Sequence, residues 1–181
     1  MANQKSLKGT GLVLAALRFA AHKHRDQRRK GADAVPYINH PVALAETLWR
    51  LGKVRDSAVL AAALLHDTIE DTETTEVELR RAFGPVVAGV VAEVTDNKSL
   101  DKAMRKQLQI EHAGSISRRA KLVKLADKIS NLEDILASPP ADWSLERRRA
   151  YFDWAKAVVG QLRGVNGVLA RQFDRLYRQR P

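Results

Sequence analysis

Cysteine is absent from the 181 residues of this sequence. Disulfides and thiolate-ligated metal sites are therefore excluded, and a reducing, cytoplasmic location is expected. No apolar run approaches the roughly 20 residues that cross a bilayer, and no small-residue cleavage pattern follows the short apolar run at residues 12–17. We therefore expect a soluble protein that makes no use of a membrane.

The sequence also lacks a glycine-rich phosphate loop, an internal repeat and the apolar-polar alternation of half-buried strands. Apolar residues recur instead at helical spacing, and Thr75 precedes Glu78 by the three residues of a helix capping box. Residues 86–94 are rich in β-branched side chains, but Pro85 suits the first turn of a helix and favours a helix there. The length fits one core. The sequence thus predicts a single all-α domain over residues 1–181.

Basic residues are in excess, with 31 Lys and Arg against 21 Asp and Glu and a formal net charge of +10. Such a charge attracts polyanions such as nucleic acids, phospholipid headgroups or small phosphate-rich metabolites. The acids cluster at residues 70–78, which suggests an acidic metal pocket on a basic body. A nucleic-acid-binding helical module is an alternative, but the exposed interleaved aromatics of a single-strand platform are missing.

The most informative stretch is residues 61–71, where an apolar segment leads into His66, Asp67, Glu70 and Asp71. We expect one helix over residues 58–71, on which these four side chains fall within an arc of roughly 140°. Carboxylates this close raise one another's pKa unless a cation lies between them. A solvated acidic helix end is the ordinary alternative, but acids at a C-terminal end oppose the helix dipole. A divalent metal ion resolves both conflicts.

Two further candidates lie far from this stretch in sequence. His40 stands directly before a proline at a predicted helix entrance, where a histidine is more often a cap or surface residue than a ligand. Asp127 shares a predicted helix face with Lys124, Lys128 and Asn131, and that face is either a solvated stripe or a ligand group with an anion site beside it. Their role depends on whether the fold brings them to His66.

The order of one His, an adjacent His-Asp pair and a distant Asp resembles the metal signature of the HD phosphohydrolase superfamily. The surrounding motifs are QRRK at 27–30, PYINHP at 36–41, LLHDTIEDT at 64–72, FG at 83–84, VTDNK at 94–98 and LVKLADKISNL at 122–132. Together they look like the hydrolase domain of the RelA/SpoT homologues, in particular the stand-alone small alarmone hydrolases. The resemblance covers about residues 14–169.

This resemblance implies an HD-type helical bundle with one Mn²⁺ ion per site. The implied reaction removes the 3′-diphosphate of ppGpp or pppGpp, releases pyrophosphate with GDP or GTP, and lowers the alarmone of the stringent response. Three groups of residues match the family motifs: His40, His66, Asp67 and Asp127 as metal ligands, Glu70 and Asp71 as catalytic acids, and Arg29, Lys30, Asn131 and Tyr151 as substrate-binding residues.

Two positions depart from the family pattern: Asn97, where relatives often carry Asp, and Ser130, where many carry Tyr. We expect both to influence nucleotide preference without touching the metal ligands. Lys124 and Lys128 are further candidates for the substrate pocket. A related substrate such as the 2′-phosphate of NADPH stays open as an alternative, and a homo-oligomer is compatible with the sequence.

Overall fold

The computed structural model describes residues 7–31 and 33–181. Within these residues nine helical segments and no strand are present, and two isolated bridges join Arg28 to Pro36 and Gly31 to Pro140. The predicted all-α fold class is confirmed. The helices are α1 (Gly9–Lys23), α2 (Asn39–Arg50), α3 (Ser57–Leu65), α4 (Thr68–Asp71), α5 (Glu76–Val94), α6 (Lys102–His112), α7 (Arg118–Ala137), α8 (Leu145–Gly160) and α9 (Gly167–Tyr177).

Side-chain caps explain where most of these helices begin. Thr75 accepts a hydrogen bond from the backbone N–H of Glu78 at the start of α5, as the sequence predicts. Gly84 interrupts α5 with a φ of 84°, and Pro85 starts its second half, so the predicted boundary is also confirmed. The other N-caps with bonded side chains are Asp56, Asp101, Ser117, Ser144 and Asn166.

The centre of the bundle is α3, whose residues Val59 to Leu65 are all buried. This helix packs against α1, α2, α5 and α7, and α7 packs in turn against α8 and α9. A helix that is apolar on every side is stable only inside a core. The residues that follow Leu65 therefore emerge at the end of the core, where α2 and α7 also contribute side chains. No helix in the described ranges is long and apolar enough to cross a membrane.

The predicted continuous helix through residue 71 is wrong at its most important point. The helix α3 ends at Leu65, His66 and Asp67 form a turn, and α4 begins at Thr68. His66 Nδ1 lies 2.9 Å from the carbonyl oxygen of Ala63, and the Thr68 hydroxyl donates to the carbonyl of Leu65 at 2.7 Å. These side-chain hydrogen bonds compete with the helical ladder, which explains the break.

Candidate active site

Three of the four predicted metal ligands lie together where α2 meets the turn after α3. One ligand atom from each of His40, His66 and Asp67 lies within 4.8 Å of the others. The two imidazole rings are 5.2 Å apart between centroids, and His66 Nε2 lies 2.8 Å from Asp67 Oδ2. Both histidines are buried. The chain therefore brings two nitrogens and one carboxylate from separate segments to one buried point.

Asp127 reaches the same point from α7. Its Oδ1 atom lies 3.3 Å from His40 Nε2 and 3.9 Å from His66 Nε2. Asn131 donates to Oδ1 at 2.6 Å, and the Lys128 ammonium donates to Oδ2 at 3.0 Å. These cationic and imidazole neighbours hold the pKa of Asp127 well below its usual range despite burial. All four predicted ligands are thus neighbours in space.

The protonation states of the histidines show whether this cluster suits a metal ion. His66 Nδ1 faces the carbonyl oxygen of Ala63, so this nitrogen carries the proton of that hydrogen bond. The other ring nitrogen, Nε2, faces Asp67. That Nε2 atom is buried and lacks a hydrogen-bond partner of acceptable geometry. Burial disfavours the charged ring, but the Asp67 carboxylate outweighs it and raises the pKa of His66 to about 9. Burial lowers the pKa of His40, which favours its neutral, ligating form. A metal cation that replaces the Nε2 proton of His66 fits this donor set.

Two outer contacts orient the candidate ligands. The Tyr37 hydroxyl donates to Asp67, and Ser130 Oγ lies 3.2 Å from His40 Nδ1. The expectation that Ser130 would not touch the metal ligands is therefore wrong, because α7 turns it toward α2. Tyr37 was missed as a site residue although it lies within the PYINHP motif, three residues before His40. Such contacts fix ring orientation and ligand basicity in metal sites.

Glu70 projects from α4 into a partly buried position. Its carboxylate accepts a hydrogen bond from the backbone N–H of Asp96 at 3.2 Å and lies 3.6 Å from the Arg105 guanidinium. Burial, together with the nearby Asp96, Asp67 and Asp71 carboxylates, raises the pKa of Glu70 to about 7. A carboxyl group with such a pKa exchanges protons readily near neutral pH.

Asp71 lies beside Glu70 and is bonded through both carboxylate oxygens. Gln27 Nε2 donates to Oδ2 at 3.1 Å, and Lys98 Nζ lies 2.5 Å from Oδ1. These partners belong to the segment after α1 and the connector before α6. Sequence reasoning did not identify either of them as a site residue, because no local spacing links them to Asp71.

A cleft of about 760 Å³ opens beside these groups. Its walls carry His40, Glu70 and Asp71 together with several cationic side chains. The basic residues that line it are Arg28, Arg29, Lys30, Lys98 and Arg105. A second cleft of about the same volume includes Arg55 and Glu93 but none of the predicted site residues, so the chemistry and not the volume identifies the first cleft.

Arg29, Asn131 and Tyr151, three of the four residues predicted to bind substrate, are half-buried in the walls of this cleft. Arg29 donates to Asn131 Oδ1 at 2.9 Å and pairs with Asp134. The Tyr151 ring lies 5.6 Å from that of Trp143. Asp134 and Trp143 also line the cleft and were not predicted.

The fourth, Lys30, is exposed at the cleft. Lys124 and Lys128, the two additional candidates, are buried in α7 and do not line the cleft. Lys128 instead bonds Asp127 and lies over the Trp154 ring at 4.3 Å. Its positive charge therefore stabilises the ionised carboxylate of Asp127.

Comparison with known families decides the identity of this fold. Residues 16–151 match the family model of the HD domain. This chain belongs to the HD-domain family. The HD-domain match, together with the His/Asp cluster, indicates a metal-dependent hydrolase. The HD-type bundle expected from the sequence is confirmed.

The HD-domain chain is similar over nearly its whole length to curated proteins named guanosine-3′,5′-bis(diphosphate) 3′-pyrophosphohydrolase MESH1. Identity to the Xenopus tropicalis protein is 51% over 166 residues, covering 92% of this chain and 93% of that protein. Identity to the Homo sapiens protein is 49% over 168 residues, covering 93% and 94%. The resemblance to stand-alone alarmone hydrolases is confirmed.

A solved structure shows the same likeness for the HD-domain fold. It is that of a metazoan orthologue of SpoT, described as hydrolysing ppGpp and acting in starvation responses. It superposes with a TM-score of 0.92 at 47% identity, covering 96% of this chain and 98% of that one. The two chains therefore share both fold and helix arrangement.

Proposed function

We propose that this chain is a guanosine-3′,5′-bis(diphosphate) 3′-pyrophosphohydrolase that acts on ppGpp and pppGpp. The observation that carries the proposal is a buried His/Asp cluster opening into a basic cleft, in a chain about half identical to proteins named for this reaction. Water attacks the phosphorus bonded to the ribose 3′-oxygen, and the bond from that oxygen to phosphorus breaks. The products are pyrophosphate and GDP or GTP.

The proposed metal ligands are His40, His66, Asp67 and Asp127. Two imidazoles and two carboxylates form a mixed nitrogen and oxygen set, which suits Mn²⁺ better than Mg²⁺. When bound, the ion neutralises charge on phosphoryl oxygens and acidifies water. The buried position of both histidines and the contact from Tyr37 to Asp67 support a preformed donor set.

Glu70 and Asp71 are the proposed proton-transfer groups. Glu70, whose pKa is raised to about 7, accepts the proton of the attacking water. Asp71 faces the same cleft, receives that proton from Glu70 and passes it to the departing 3′-oxygen. Because the alkoxide of a ribose is a poor leaving group, protonation of that oxygen favours bond cleavage.

The substrate carries two diphosphate groups, so its negative charge matches the cationic walls of the cleft. We assign Arg29 and Lys30 to phosphate contacts, with Arg29 also able to stack its flat guanidinium on guanine. Asn131 and Tyr151 are the proposed polar contacts to the nucleotide. Asn131 accepts a hydrogen bond from Arg29 and donates one to Asp127, which supports the proposal that phosphate is recognised beside the metal ligands.

The decisive experiment measures products with Mn²⁺ on a panel of ppGpp, pppGpp and NADPH. We expect ppGpp to be cleaved fastest, with pyrophosphate as the released product, and Asp67→Ala to abolish turnover. Turnover of NADPH that matched or exceeded that of ppGpp, with phosphate released, would instead favour the alternative substrate. The single domain over residues 1–181 and the cytoplasmic location stay predictions. The oligomeric state is a separate question, which light scattering after gel filtration answers.

A further inference from the structure

A hydrogen-bonded row of side chains connects the end of α1 to the candidate acid Asp71. His24, the residue that follows α1, places its Nδ1 atom 2.6 Å from Gln27 Oε1. The Nε2 atom of the same Gln27 amide donates to Asp71 Oδ2 at 3.1 Å. Neither His24 nor Gln27 belongs to the candidate ligands, acids or substrate contacts described above.

The chemistry of the three groups fixes the direction of these bonds. An ionised carboxylate only accepts hydrogen bonds, so the amide nitrogen of Gln27 must face Asp71. The amide oxygen is then left facing the imidazole, and because an oxygen of this kind only accepts, His24 Nδ1 must carry a proton. If the nitrogen and oxygen of the Gln27 amide changed places, the amide oxygen would face the Asp71 carboxylate, and two hydrogen-bond acceptors would oppose each other.

The row is anchored at its inner end. His24 is only 2% exposed, and its ring lies 4.8 Å from the ring of Tyr37, the residue that bonds Asp67. The backbone N–H of Gln27 donates to the carbonyl of His24 at 3.0 Å, and the N–H of Tyr37 donates to the carbonyl of Gln27 at 3.0 Å. Gln27 is thus fixed through both its backbone and its amide.

The other oxygen of Asp71 has a partner of a different kind. Lys98 comes from the connector after α5, and half of its side chain is exposed. Gln27 is half-buried, and a flexible, hydrated ammonium restricts a carboxylate less than an amide that is itself bonded at its other end. The fixed contact of Asp71 is therefore the one that runs through Gln27.

We propose that His24 and Gln27 are positioning residues that hold the Asp71 carboxylate in its orientation toward the cleft. The role rests on the proposed function, because Asp71 serves there as a proton donor. His24 acts through Gln27, and Gln27 acts through Asp71. Loss of either partner leaves the metal ligands in place and lets the carboxylate turn away from the reacting oxygen.

The test compares two substitutions of His24 that differ in one donor. In His24→Asn the side-chain amide nitrogen lies near the position of Nδ1 and can replace its bond, whereas His24→Leu removes it. We expect His24→Leu and Gln27→Leu to lower kcat on ppGpp by about tenfold or more, with KM within about twofold of the wild-type value. His24→Asn should keep most of the wild-type kcat. His22→Leu, an exposed site two residues earlier, is the matched control with wild-type kcat.

Double variants separate positioning from general damage to the fold. Gln27→Leu added to Asp71→Asn should cause no further loss, since both changes remove the same effect. Metal content and the thermal midpoint should match the wild-type values. If Gln27→Leu does not fold, Gln27→Glu places a like charge beside Asp71 and should lower kcat in the same way. If the fold losses in kcat of Gln27→Leu and Asp71→Asn multiply in the double variant, the proposal is wrong.

A second readout needs neither metal nor substrate. In an imidazole ¹H–¹⁵N spectrum of the metal-free protein, we expect a protected Nδ1–H signal for His24 that moves in Gln27→Leu but not in His22→Leu. An unprotonated Nδ1, or wild-type kcat in Gln27→Leu with an active parent, refutes the positioning role. Absence of ppGpp cleavage by the wild-type protein refutes the proposed function instead.

Discussion

The raised pKa of Glu70 predicts that ionising this one side chain destabilises the metal-free protein. Its carboxyl group titrates at about 7 in the folded chain, against an ordinary value of 4.5. Between these values the native state binds more protons than the unfolded state, so the free energy of unfolding falls as pH rises. The stabilisation is complete below pH 4.5 and is lost as pH passes through 7. Glu70→Gln keeps the shape of the side chain and removes the titration.

The size of the effect follows from the shift and from the exposure of the side chain. One pKa unit corresponds to about 1.4 kcal/mol, so the whole shift sets an upper limit of about 3 kcal/mol. A fifth of the Glu70 side chain is exposed. Solvent screening therefore reduces the expected loss to about 1–2 kcal/mol between pH 5 and pH 8.

Urea unfolding in the presence of a chelator, at pH 5 and at pH 8, measures this difference. The wild-type protein should lose about 1–2 kcal/mol more than Glu70→Gln over that range. Glu73→Gln, at an exposed acid three residues along, should keep the wild-type slope. Parallel pH dependences for the wild-type protein and Glu70→Gln would refute the reasoning about this carboxyl group.

Four further outcomes follow. Glu70→Gln should lower kcat by about 10² to 10⁴ with metal retained, and activity near that of Glu73→Gln would contradict its role. His66→Ala should abolish metal binding in elemental analysis, and full metal content would exclude it as a ligand. Ser130→Ala should weaken metal affinity about tenfold in a chelator competition, and unchanged affinity would dismiss its contact with His40. Phe152→Ala, at a fully buried ring, should cost about 3–5 kcal/mol in urea unfolding, and a loss below about 1 kcal/mol would show a site that collapses readily.

Much of the fold could be predicted because its signals are local. Helical spacing of apolar residues, the cap at Thr75 and the stop and start at Gly84 and Pro85 all act within a few residues of the element they define. The neighbours His66 and Asp67 could be predicted as a pair for the same reason. The prediction that Asp127 lies beside them depended on the family resemblance, since helical spacing alone does not show which distant helices come together.

The parts that sequence reasoning missed depend on contacts between distant segments. The break after Leu65 arises from side-chain hydrogen bonds that compete with the helix, and periodicity carries no sign of them. Gln27 lies 44 residues before its partner Asp71, and Ser130 lies 90 residues after His40. Only the packing of α1, α2 and α7 around α3 brings these pairs together.

The break after α3 also divides the site into two parts that can change separately over evolutionary time. His40, His66 and Asp127 are attached to helices of the core, so substitutions near them risk the whole fold. Asp71, on α4, is held instead by Gln27 and Lys98 from connecting segments. Substitutions in those connectors can therefore change the rate of turnover over evolutionary time while the metal ligands stay unchanged.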